Sequence, residues 1–269
     1  MGTPGNKPES PGGVLKAFAA TPSLVRYGFR MTSRTFKVAS YNIRKAIGTD
    51  RRRKPERIID VLNELDADII ALQEADRRFG PRHALLPDWL LEQHSDYRAV
   101  PLPTRAESMG WHGNALLVRN ACEATASDVL HLPCLEPRGA VMAELDMGPA
   151  RIRVMGMHLD LSGLWRRRQA AAVVHQVEHW QTQSPAAADI LMGDLNEWSA
   201  RRGCLADFMR HFDIAPSGRS YHATRQVAAL DRIMWRGALD LLDTGVHLTP
   251  VSRRASDHLP IWARFRITD

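Results

Sequence analysis

The chain has little cysteine: Cys122, Cys134 and Cys204 are the only three in 269 residues, and no two form a CxxC pair. So few, and odd in number, they exclude a disulfide-stapled scaffold and a cysteine-rich zinc site, and they read as reduced thiols of a cytoplasmic protein. Long apolar runs are missing too. No stretch approaches the roughly 20 residues of a membrane-spanning helix, and Lys16, Pro22 and Arg26 break up the region where a secretory core would lie. No internal repeat or heptad run is present, which removes solenoids and coiled coils. The chain also lacks an acidic excess: 36 Lys and Arg face 30 Asp and Glu, a formal net charge of +6. Most of that surplus is Arg, whose planar fork takes phosphate oxygens in pairs. An anionic partner is favoured, although a solvated Arg-rich surface would give the same count.

What is there suffices for one globular domain, since 44% of the 269 residues are hydrophobic and can bury one large core. Residues 31–269 are expected to form it. Residues 1–30 read as an extension, disordered at least through its Gly, Pro and Ser-rich start. Met31 stands just ahead of the first convincing strand and is a candidate start of translation.

The stretch ILMGDLNEW, residues 190–198, organises the rest. An apolar run that ends in Gly, a carboxylate and an amide predicts a buried strand delivering Asp194 and Asn196 to its open end. An Asp can accept a proton from water or approach a cation. The Asn two positions on shares its face in extended chain and can hold the water's orientation. Taken alone, the pattern fits a turn equally well.

The same arrangement recurs along the chain. FKVASYNI ends near Asn42, DIIALQE ends in Glu74, and the strand predicted over 151–158 ends in His158. Trp111, His112, Gly113 and Asn114 lead into an apolar segment, and Glu136, Pro137 and Arg138 precede a strand predicted over 140–145. ALDRI carries Asp231, and SDHLP carries Asp257 and His258. Two helices are expected. One starts at Pro55 with Ile58, Val61, Leu62 and Leu65 on one face; the other spans 165–181 with Ala170, Val173, Val174, Val177 and Trp180 on one face. Residues 80–103 carry no clear signal. Strands alternate with helices in places and follow one another in others, which predicts a layered α/β fold with mixed sheets.

In this order, Asn42 in SYNI, Glu74 in LQE, His158 in MHL, Asp194 and Asn196 in GDLN, Asp231 in LDRI and Asp257 with His258 in SDHLP resemble the endonuclease/exonuclease/phosphatase superfamily. That group includes abasic-site endonucleases, deoxyribonuclease I, inositol polyphosphate 5-phosphatases and neutral sphingomyelinases. The resemblance runs from about Phe36 to the C-terminus. It implies a four-layer sandwich with two central mixed β-sheets flanked by helices, and a site at one end of both sheets. It also implies that Glu74 is the principal ligand of a divalent cation, Mg2+ or Mn2+, with Asn42 beside it and Asp257 adding a second carboxylate. By the same resemblance Asp194 activates or orients the attacking water, with Asn196 in support. His258 contacts the phosphate with Asp231 fixing its ring, and His158 donates to a phosphate oxygen. Arg138 and Asn114 are further candidates for phosphate binding.

The substrate stays open at this point. The basic loop from Arg44 to Lys54 and the run Arg166, Arg167, Arg168 could track a nucleic-acid backbone, with Trp111 and Trp165 stacking on bases. They could equally take a phosphorylated small molecule or a lipid headgroup. A metal-dependent phosphoester hydrolase of nuclease type, with DNA as a candidate substrate, is the first expectation. A phosphatase or phospholipid phosphodiesterase is the second, and a non-catalytic phosphate-binding protein the third. No protein partner is evident.

Overall fold

The computed structural model describes residues 16–17, 35–77, 83–104 and 107–268. The expected 1–30 extension and the candidate start at Met31 lie outside the described residues, apart from strand β1 (Lys16–Ala17). In chain order there follow β2 (Thr35–Asn42), a short turn at Arg44–Ala46, α1 (Pro55–Leu65), β3 (Ile69–Gln73), α2 (Asp88–His94), β4 (Tyr97–Ala99) and β5 (Ala115–Arg119). Next come β6 (Glu123–His131), β7 (Gly139–Asp146), β8 (Arg151–His158), α3 (Gly163–Gln183) and β9 (Ala188–Asp194). The chain closes with α4 (Cys204–Phe208), β10 (Asp213–Ile214), β11 (Asp231–Gly237), β12 (Leu239–Val246), α5 (Ser252–Ala255) and β13 (Ile261–Ile267).

Two mixed sheets result, one ordered β1-β6-β7-β8-β9-β11-β10 and the other β12-β13-β2-β3-β5-β4. Alternation along each strand decides which layer a side chain enters. Val38, Ile69, Ala71, Val154, Ile190 and Met192 meet between the sheets. Ala39, Tyr41, Ile70 and Leu72 point the other way, under α1 and α2. Met155, Met157 and Leu191 lie under α3 and α4. Helix, sheet, sheet and helix are therefore stacked as the expected four layers. Both long helices present the predicted stripes: Ile58, Val61, Leu62 and Leu65 on α1, and Ala170, Val173, Val174, Val177 and Trp180 on α3, are all buried. Each Ile, Val and Leu among them contributes about 1.5–3 kcal/mol by leaving water. Residues 80–103, unreadable as sequence, contain α2 and β4. No helix among the described residues is long and apolar enough to cross a membrane.

A buried charge network ties α3 to its sheet. The Arg153 guanidinium, 1% exposed, donates to Glu144 at 2.8 Å and to Asp189 at 2.9 Å, and it also reaches the Ser184 carbonyl. Removing it leaves two buried carboxylates whose remaining cationic partners among the described residues are Arg151 and Arg236. Arg153→Met is expected to cost about 3 kcal/mol, the lower end for breaking a buried ion pair. The denaturant midpoint measures this, and an unchanged midpoint would contradict it.

Register brings the polar strand ends into one row. Gly139 is opposite His158, His158 opposite Asp194, and Asp194 opposite Asp231, so four adjacent strands of the first sheet finish or start at the same level. In the second sheet Asn42 is opposite Gln73, which puts Asn42 and Glu74 at neighbouring strand ends. Gly193 is required there, because a Cβ would stand 1.9 Å from the Met157 carbonyl oxygen of the paired strand.

Candidate active site

Asp194 is 1% exposed, and its carboxylate is the point on which the two sheets converge. Oδ2 accepts from the Asn42 amide at 3.0 Å. It also lies 3.4 Å from His158 Nε2 and 3.7 Å from His258 Nε2. Oδ1 accepts from the Asn196 backbone N–H at 2.9 Å. Asn196 adopts a left-handed conformation, φ 50°, and its side chain donates to the Leu159 carbonyl at 3.0 Å, which locks the loop beyond β9 to the loop beyond β8.

His258 is held from behind. Its Nδ1 is 2.9 Å from Asp231 Oδ2, which also accepts from the Ser220 hydroxyl. The Tyr221 ring packs against the imidazole at 4.9 Å between centroids. Burial alone would lower the pKa of His258. Asp231 and Asp194, with a smaller effect from Asp257, outweigh it and raise the value to about 10. His158 is displaced in the opposite direction: burial, then the Arg138 guanidinium 2.8 Å from its ring nitrogens, lower it to about 3. At neutral pH the Asp194 carboxylate thus stands between a charged and a neutral imidazole.

Opposite signs predict two limbs of stability. The folded pKa of His258 is raised, so its contribution is complete below about pH 6.5 and is lost as pH rises towards 10. That of His158 is lowered, so its contribution is complete above about pH 6.5 and is lost as pH falls towards 3. Measured as the difference in urea midpoint from wild type across pH, His258→Gln should differ on the alkaline limb and His158→Gln on the acid limb. A pH-independent difference for either variant would contradict its assignment.

Glu74 and Asp257 belong to the other half of the site. Glu74 follows β3 in a left-handed conformation, φ 55°, and its carboxylate takes the Lys45 ammonium. Arg44, Lys45, Ala46 and His112 are left-handed as well. A non-glycine residue there costs about 1–2 kcal/mol, and such strain concentrates at functional sites. Asp257 pairs with Arg44 at 3.1 Å, while the Ser256 hydroxyl donates to the Asn42 carbonyl at 2.7 Å and docks the SDHLP loop on β2. Glu74, Lys45, His158 and Arg138 face a cavity of about 390 Å3, together with Asp76, Arg77, His112, Gly113, Glu136 and Pro137.

Asn114 follows the cavity-lining Gly113 and reaches Gly139, the residue paired with His158. It is fully buried, and its amide donates at 3.1 Å to both the Trp111 and Gly139 carbonyls, joining two loops. Arg166 does not present its charge outward: it is buried and bonds to Glu197 and to the Asp160 and Leu161 carbonyls. Ser220 and Tyr221 went unnoticed as sequence, because nothing in GRSYH distinguishes them before the fold sets them against Asp231 and His258.

Two groupings could hold a cation. Asp194, Asp231 and His258 offer ligand atoms within 4.8 Å of one another. A protonated His258, however, already supplies the positive charge for those two carboxylates. Glu74, Asn42 and Asp257 are an all-oxygen set suited to a hard divalent ion; there too cations already pair with the carboxylates, Lys45 with Glu74 and Arg44 with Asp257. The donor chemistry fits a metal on that side.

The sequence profile of the endonuclease/exonuclease/phosphatase family matches residues 39–258, and the chain belongs to that family. Comparison with curated proteins finds no match. Among solved structures, TDP2 from Caenorhabditis elegans is 20% identical with a TM-score of 0.68, over 86% of this chain and 74% of that one. The catalytic domain of human Nocturnin with bound sulfate is 19% identical with a TM-score of 0.67, over 88% of this chain and 96% of that one. An endonuclease/exonuclease/phosphatase family protein from Bacteroides thetaiotaomicron is 18% identical with a TM-score of 0.69, over 87% and 95%. At such identities the likeness is one of fold, the two-sheet sandwich described above.

Proposed function

We propose that the chain is a divalent-metal-dependent phosphodiesterase that works by in-line attack of water on phosphorus. The observation that carries this reading is the convergence of Asn42, His158 and His258 on one buried oxygen of Asp194, beside a cavity lined by Glu74. Asp194, held at both oxygens, orients the water and accepts its proton. The charged His258 directs Nε2–H at a phosphate oxygen while Asp231 fixes the ring through Nδ1. The neutral His158 and Arg138 take the neighbouring oxygens, and Asn196 keeps the loop beneath the water rigid. Glu74, Asn42 and Asp257 would hold the metal. When bound, Mg2+ or Mn2+ acts as a Lewis acid that neutralises charge developing on the phosphoryl group.

Nuclease-type chemistry is supported by the exposed Arg51, Arg52, Arg53 and Lys54 beyond β2. A phospholipid diester is the second reading, favoured by the exposed Leu135, Leu161 and Leu164 near the strand ends of the first sheet. The test is a panel of single-stranded, double-stranded and abasic DNA, phosphomonoesters and phospholipids with Mg2+ present. Turnover of diesters above monoesters is expected. Preference for monoesters would replace the reading with a phosphatase.

A further inference from the structure

Three neighbouring loops and the first turn of α3, at the site end of the first sheet, carry large apolar side chains into solvent. Leu135 is 69% exposed, Leu161 62%, Leu164 61% and Trp198 65%. They flank the row of Gly139, His158 and Asp194, so they rise from adjacent strands at one level.

Beneath them the loops are tied tightly together. Asp160 accepts from the Leu135 backbone N–H at 3.3 Å and from Ser162 at 2.9 Å. Gln169 donates to the Pro133 carbonyl and accepts from the Asp160 backbone N–H. Arg166 joins the Asp160 and Leu161 carbonyls to Glu197, which in turn accepts from the Ser199 backbone N–H at 3.0 Å. Asp160, Arg166, Gln169 and Glu197 are all buried. Polar anchors therefore face inward while four large apolar groups are held outward, the reverse of what a freely folding surface loop would do. Clustered exposed apolar groups mark an interaction surface.

Charge selects the occupant. Arg168, Arg201 and Arg202, on the same segments as Leu164 and Trp198, are exposed, Arg168 with its guanidinium 4.9 Å over the Trp165 ring. Arg167 contributes less, being paired with Asp207. Leucines gain nothing from a nucleic-acid backbone, whereas leucine and tryptophan bracketed by arginine suit the boundary between anionic headgroups and acyl chains.

We propose that this rim docks the protein on an anionic phospholipid bilayer, with Leu135, Leu161, Leu164 and Trp198 entering the interface and the arginines meeting headgroup phosphates. Docked in this way, the row bearing His158 and Asp194 faces the headgroup layer. That a headgroup diester is the substrate rests on the phosphodiesterase reading above; the docking itself does not.

Co-sedimentation of the full chain with vesicles of phosphatidylcholine, alone or mixed equally with phosphatidylglycerol, tests the surface. The variant is Leu135→Gln/Leu161→Gln/Leu164→Gln, three exposed positions outside the catalytic groups. Partition to the anionic vesicles is expected to exceed partition to phosphatidylcholine and to fall about tenfold or more in the variant, with hydrolysis of a soluble diester unchanged. No excess partition in the wild type, or partition that the variant retains, overturns the proposal. So does a variant that loses single-stranded oligonucleotide binding while keeping vesicle binding. Docking without turnover of any diester leaves the surface standing and removes the phosphodiesterase reading; turnover without docking does the reverse.

Discussion

Asp194→Asn is expected to lower phosphodiester turnover about 1,000-fold or more, in the range that follows loss of a positioned general base. Both oxygens of Asp194 accept hydrogen bonds in the folded protein, from Asn42 at 3.0 Å and from the Asn196 backbone at 2.9 Å. An amide can satisfy only one of those donors, because its NH2 group must face the other. The variant also loses the site that takes the water's proton, and it removes one of three carboxylates that keep His258 charged. A buried donor left unpaired costs about 1–3 kcal/mol, so a modest drop in thermal stability should accompany the loss of rate. Turnover within about tenfold of wild type would remove Asp194 from the chemistry.

Glu74→Gln should fail in a different way. The amide keeps the size and one oxygen of the carboxylate but not its charge, so the Mg2+ concentration giving half-maximal rate is expected to rise about 100-fold. Lys45 loses its acidic partner; the pair is partly exposed, and stability should change little. Millimolar Mg2+ should partly restore Glu74→Gln and should do nothing for Asp194→Asn. A Glu74→Gln enzyme with an unaltered Mg2+ requirement would move the metal away from Glu74, and the cluster of Asp194, Asp231 and His258 would become the better candidate.

The strand ends were the legible part of this molecule. A run such as IIALQE or ILMGD switches from apolar to polar within one residue, and that switch coincides with the edge of the buried sheet at Gln73 and at Asp194. The stripes of α1 and α3 could be read for the same reason, since each is buried on one face only. Strands β6 and β12 carry mostly partly buried or exposed residues, so EATASDVLH and LDLLDTGV lack a strong period. Helix α2 has only seven residues, too few for a helical stripe to show. Within the site, Asn42, His158, Asp194, Asp231 and His258 do come together. Arg166 was misjudged because its neighbours Arg167 and Arg168 are exposed and only the fold sets Glu197 against it. The supporting roles of Ser220 and Tyr221, like the outward set of Trp198, arise from contacts between loops distant in sequence.

The most direct measurement is hydrolysis of a soluble phosphodiester by the full-length protein across a Mg2+ titration, begun in excess chelator. Background rates in chelator and recovery on adding Mg2+ are the expected result. Turnover that survives the chelator would contradict a metal-dependent site built on Glu74 and Asp194.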